Sequence, residues 1–215
     1  MTLRSATLSE LAAVVASILL AVWVIVPLYP SNRFMMIPSA IAAIGIVVYS
    51  MRVRGEAVKD VGISTHAFMT ALRLLIIPLV VAVVVFGGVS LSTNTFRWET
   101  LAWYKLITLP AWGILQQFVL QGFVYRRIRS LVESPNHAIG WTAILFSLVH
   151  LPNFPLMLLT LVGGLVWTWV YSKAPNIIAI GISHGLLSLL VMATMPKRLL
   201  PTLSVGYKYF LSQSF

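Results

Sequence analysis

Residues 101–125 read LAWYKLITLPAWGILQQFVLQGFVY. One charged side chain, Lys105, stands near the start; the remainder is long and apolar enough for a helix crossing a hydrocarbon layer, which takes about 20 residues. Yet Gln116, Gln117 and Gln121 sit inside it. Polar groups at that depth are costly and mark a functional site. Two later apolar runs repeat the pattern. One holds Phe146-Ser-Leu-Val-His150 and the other His184-Gly-Leu-Leu-Ser188.

The rest of the chain agrees that lipid is the solvent. Of 215 residues, 59% are hydrophobic and 9% charged, where a soluble domain carries about 25%. Mean hydropathy is +0.93. Apolar spans fall at Leu11–Leu28, Phe34–Met51, Ala67–Leu91, Leu101–Tyr125, Ala138–Leu151, Leu156–Tyr171 and Ile177–Met195. The fifth is short and extends either through His137 or beyond Leu151. No alternating strand pattern occurs, and backbone groups in lipid must be satisfied internally. The expected fold is therefore all-α: a polytopic membrane helix bundle of about seven transmembrane helices, one domain over residues 1–215. The first span is too long for the core of a cleaved signal peptide, and no A-x-A site follows it.

Fifteen Lys+Arg against five Asp+Glu give +10. One set of loops collects Arg4, Arg52, Arg54, Lys59, Arg126, Arg127, Arg129 and Lys173. The other has Arg33, Arg97, Lys197, Arg198 and Lys208, with Lys105 just inside the fourth span. The richer set is expected in the cytoplasm, together with the N-terminus. Tyr49, Tyr125 and Tyr171 on that side, and Tyr29, Trp98, Trp103 and Tyr104 on the other, form the interfacial belts. Dispersed charge offers nucleic acid no basic face; membrane lipids are the expected partners of these loops. Without cysteine there is no disulfide, thiolate nucleophile or Cys-ligated metal. Pro38, Pro78 and Pro110 fall inside spans and are expected to kink them. Gly181 and Gly185, four apart, let another helix approach closely. The tail from Lys197 to Phe215, broken by Pro201, Gly206 and Lys208, reads as interfacial.

Do the polar residues meet? At 1.5 Å per residue, Gln116 lies ~15 Å from the Arg126 end, His150 ~18 Å from Ala138, His184 ~12 Å from Asn176 and Ser188 ~18 Å. All fall near the middle of a layer about 30 Å thick. His184 and Ser188 share a helical face, as do Gln117 and Gln121. A mid-membrane pocket built by the fourth, fifth and seventh spans follows. The plainer reading is bracing between helices, at ~0.6 kcal/mol per bond. His66 and His137 read as loop residues, and Phe146 as core packing.

In this order, Q-Q-x-x-x-Q, F-x-x-x-H and H-x-x-x-S resemble the CPBP family, the CAAX-protease and bacteriocin-processing intramembrane proteases. Their motifs run E-E-x-x-x-R, F-x-x-x-H and H-x-x-x-N. Arg54-Gly55 leading to Asp60-Val-Gly62-Ile, and Ala174-Pro175-Asn176-Ile, extend the resemblance over about residues 52 to 195. It implies a glutamate that, with the first histidine, activates water, and a second histidine and asparagine that stabilise the oxyanion. On that basis Gln116 stands at the general base, Gln117 at its paired glutamate and Gln121 at the arginine. His150 stands at the water-binding histidine, His184 at the oxyanion histidine and Ser188 at the asparagine.

A carboxamide cannot accept the proton that a tuned carboxylate can, and general-base help is typically ~10²–10⁴-fold. The acids are Glu10, Glu56, Asp60, Glu99 and Glu133, all read as outside the spans. Glu99 and Glu133 flank the fourth span, each placed ~25 Å from Gln116 along its axis. Exchanging two glutamates and an arginine together leaves no unpaired buried charge. The expected function is a catalytically degenerate pseudoprotease holding a membrane peptide, a lipidated tail or a partner subunit, with no cofactor. One alternative is an active intramembrane endopeptidase whose base is His150 or a water on zinc held by His150 and His184, although catalytic zinc normally has three protein ligands. Another is a structural subunit with a histidine-ligated haem or pigment.

Overall fold

In a computed structural model of the chain, residues 3–29 and 37–212 are described. They form helices and turns, with no strand among them. Five helices are long and apolar enough to cross a membrane: α1 (Leu3–Leu28), α3 (Phe68–Thr93), α4 (Lys105–Leu131), α6 (Phe154–Lys173) and α7 (Ile177–Thr194). The second and fifth expected spans are helices too, but shorter: α2 (Ile37–Val53) and α5 (Pro135–Leu148). The expected start of the second span, Phe34, and the loop cation Arg33 lie outside the described residues. A short α8 (Tyr207–Leu211) closes the described chain.

The helices begin where their sequence lets them. Ser134, Asn153 and Asn176 precede α5, α6 and α7, and each side chain accepts from the backbone N–H three residues on, the preferred N-cap arrangement. Pro38 is the second residue of α2, where its missing N–H breaks no helical bond. Pro78 and Pro110 do lie within helices. Pro110 has a further use, because its backbone nitrogen faces Gly185.

Helices α4 and α7 are the central pair, and their backbones touch. A methyl at Gly185 would stand 2.5 Å from the Leu109 carbonyl, and one at Gly181 would collide with the Ile114 backbone. Gly113 faces Gly181 from the other side. The glycine spacing on the seventh helix thus does what it predicts, aided by a third glycine on the fourth. Helices α5 and α6 form a hairpin, with Gly164 packed on Ala143. Helix α3 leaves Ile76, Ile77, Val80, Val81, Val83, Val84 and Val85 exposed, a face suited to lipid.

At the Arg126 end, charge is gathered rather than dispersed. Arg127, 2% exposed, donates to Glu56 at 2.7 Å, to Glu10 at 3.2 Å and to Ser50 at 2.9 Å. Arg54 joins Glu10 at 2.9 Å and Arg126 joins Glu56 at 2.6 Å. The Arg127 guanidinium also lies over the Phe123 ring, 5.1 Å from its centroid. This corrects the reading that no acid lies within a span: α1 starts at Leu3 and carries Glu10. The α1 run before Leu11 is too polar to count in an apolar search, yet the ion pairs keep it helical and packed.

At the opposite end the tail folds back. Asn153 donates to the Thr202 and Ser204 carbonyls at 2.8 and 3.2 Å, and Gly206 N–H to Leu151 at 2.8 Å. The strap from Lys197 to Val205 is thereby held against the turn after α5. Residues 213–215 of the tail lie outside the described residues.

Candidate functional site

The three glutamines divide between two surroundings. Gln117 and Gln121 are fully buried. Gln121 Nε2 donates to Gln117 Oε1 at 3.1 Å and to Thr168 Oγ1 at 3.0 Å. Gln117 Nε2 lies 3.2 Å from His184 Nδ1. An amide nitrogen can only donate, so Nδ1 accepts and His184 carries its proton on Nε2. The result is a chain of neutral hydrogen bonds, Thr168–Gln121–Gln117–His184. Gln121 Oε1 is left without a partner. Turning the Gln121 amide over would leave two N–H donors unpaired instead of one acceptor, so the observed orientation is the better satisfied one.

Backbone geometry helps to aim these side chains. Directly after Gln117, α4 widens into a π-helical stretch, Phe118–Tyr125, that contains Gln121. Such stretches occur frequently at functional sites.

The two histidines flank one ring. Phe146 meets His150 edge-on at 4.8 Å and His184 edge-on at 5.8 Å between centroids. Trp167 stacks on His184 at 4.3 Å, tilted by 31°, and its Nε1 donates to Ser183 at 3.0 Å. His150 Nδ1 donates to the Phe146 carbonyl at 2.6 Å. A nitrogen facing a carbonyl must carry the proton, so in the neutral ring Nε2 remains an acceptor.

Gln116 has a different setting. It is half-buried and, with His150, lines a cavity of about 630 Å³. The cavity walls also include Val22, Arg97, Glu99, Thr100, Lys105, Trp112, Val191, Lys197, Thr202, Ser204 and Lys208. Two expectations change here. The turn Trp98–Thr100 lies at the cavity, so Glu99 lines the same space as Gln116 and His150, which the separation along the helix axis did not suggest. The buried polar cluster also draws on α6, through Thr168 on Gln121 and Trp167 on His184. A Trp-Thr pair inside an apolar run was the available sequence signal for it. Ser188 is half-buried on α7, forms no side-chain hydrogen bond among the described residues and does not line the cavity.

A metal or a haem fits this arrangement poorly. Among the described residues no group of three His, Cys, Asp or Glu could hold a metal ion. His184 Nδ1 accepts from Gln117, so its Nε2 carries the proton, and its ring is covered by Trp167 and Phe146; His150 alone keeps an acceptor nitrogen, Nε2, and one ligand does not make the three that catalytic zinc normally has.

The bundle thus brings two buried histidines and a glutamine cluster to one region of the membrane-spanning helices. Residues 97–190 match the family model described as type II CAAX prenyl endopeptidase Rce1-like, and this stretch contains all three motifs. The searches of curated proteins and of solved structures each returned no match.

Proposed function

We propose that this CAAX-protease-like membrane protein is a pseudoprotease: it holds a membrane peptide, a lipidated tail or a partner subunit in the inherited cavity without cleaving it. The observation that carries this reading is the chemistry at Gln116. The side chain that faces the cavity beside His150 is an amide, and an amide cannot take a proton from water. Gln117 and Gln121, at the positions of the second glutamate and the arginine, are consumed by the buried amide chain.

The test uses the purified full-length protein in lipid nanodiscs with prenylated and transmembrane peptides. Wild type should bind without cleaving. Gln116→Glu, alone or with Gln117→Glu and Gln121→Arg, should introduce cleavage that His150→Ala abolishes. Turnover by wild type would overturn the reading.

One observation favours a second reading, an endopeptidase with an unusual base. Glu99 lines the cavity that also exposes Gln116 and His150. On this reading wild-type cleavage exists and Glu99→Gln removes it.

A further inference from the structure

Most of the residues that line the cavity come from outside the matched stretch. Val22 and Val26 on α1, and Lys197, Leu200, Thr202, Ser204, Val205 and Lys208 of the tail, lie before residue 97 or after residue 190. The charged side chains of the lining are mostly of one sign, and the flanking parts supply two of them, Lys197 and Lys208. Arg97, Lys105, Lys197 and Lys208 line the cavity against a single acid, Glu99. Arg97 is occupied by the Met192 and Met195 carbonyls at the end of α7. Among the described residues the three lysines and Glu99 make no ion pair.

Lys105 is placed against its own helix. It is the first residue of α4, where the macrodipole is positive and disfavours a cation. Unmatched lysines at one cavity, one of them at the positive end of a helix, are complementary to an anion. Hydroxyls of Thr100 and Ser204 supply donors, Thr202 Oγ1 donating to Ser204 at 2.9 Å, and Val22, Val26, Val191 and Leu200 supply apolar wall. The exposed Trp98, Trp103 and Tyr104 set this mouth at the headgroup level, where aromatic residues concentrate.

We infer that the cavity binds an anionic phospholipid, its phosphate held by Lys105, Lys197 and Lys208 and its acyl chain against the apolar wall. The surplus of cations suits a lipid phosphomonoester, which carries up to two negative charges near neutral pH, better than a single peptide carboxylate. The inference deepens the non-catalytic reading of the same cavity and rests on it. The lipid would be the resident ligand that a peptide or partner must share or displace.

The experiment measures lipid retention by native mass spectrometry after purification from nanodiscs of phosphatidylcholine doped with phosphatidic acid. Wild type should retain phosphatidic acid in preference to phosphatidylcholine. Each lysine near an anionic headgroup is worth about five-fold, so Lys105→Gln/Lys197→Gln/Lys208→Gln should lower retention by on the order of 100-fold. Should that triple variant fail to fold, Lys197→Gln/Lys208→Gln, at two exposed positions, should still lower it by about 25-fold. A control with the same charge change at the other end, Arg52→Gln/Lys59→Gln/Lys173→Gln, should retain lipid as wild type does. Equal retention of both lipids, or an unaffected lysine variant, would overturn the inference. So would displacement by inorganic phosphate at the concentration of lipid phosphate, which indicates a free-anion site, or displacement by a peptide acid but not its amide. Peptide cleavage by wild type, assayed separately, would overturn the pseudoprotease reading and leave the retention measurement to stand on its own.

Discussion

Gln117 joins two parts of the site with one amide: its oxygen accepts from Gln121 and its nitrogen donates to His184. Gln117→Leu keeps the size and removes both bonds. Two buried polar groups then lose a partner, at about 1–3 kcal/mol each. The expected outcome is a lower resistance to SDS unfolding, with Gln116→Leu, whose side chain faces the cavity, changing it far less. The contrast separates the two adjacent glutamines, which the sequence alone could not do. Their depth was legible from helix rise, but which of two adjacent helical positions turns inward is set by how α4 packs on α7. Thr168 escaped notice for a related reason: a threonine within an apolar run is ordinarily satisfied by its own helix, and only the packed structure shows Gln121 donating to it.

At the level of elements, the pair α4 and α7 carries the site, and its glycines set the spacing. Gly185→Ala would put a methyl against the Leu109 carbonyl and the Pro110 nitrogen. Overpacking of this kind typically costs 1–3 kcal/mol. The expected result is a lower thermal midpoint in detergent and a disturbed Gln117–His184 contact, read as weaker ligand binding. Gly87→Ala on the outer part of α3, where an added methyl meets nothing within 4 Å, should be neutral or slightly stabilising by helix propensity. Seven apolar runs were visible because hydrophobic length is a strong signal. Of these runs, α5 forms a helix of 14 residues, and α2 is described from Ile37 onward, over 17 residues.

For the molecule as a whole, the two ends differ in how they handle charge. The Arg126 end is tied together by Glu10, Glu56, Arg54, Arg126 and Arg127. Burial alone would raise the Glu56 pKa, but hydrogen bonds from Arg127 and Arg126 outweigh it and hold the carboxyl below its ordinary 4.5. A lowered folded-state pKa gives stability that is complete above the unfolded value and disappears as pH falls through the folded one. The unfolding midpoint should therefore be flat near neutrality and fall once pH drops below about 4.5. Glu56→Gln should be less stable at pH 7 and lose that part of the acid dependence. Sequence reading sorted these residues into loops by sign. It missed their convergence, because Glu10, Ser50, Glu56 and Arg127 are far apart in the chain and meet only through the packing of α1, α2 and α4.

Voltage offers one last contrast between an ionised centre and the amide chain linking Thr168 to His184. An electric field across a bilayer does work only on charge, about 2.3 kcal/mol per elementary charge for each 100 mV traversed. Two carboxylates and a guanidinium at mid-depth would feel that force whenever they shifted. Four neutral side chains do not, so the chain from Thr168 to His184 is the same in an energised membrane and in a de-energised one.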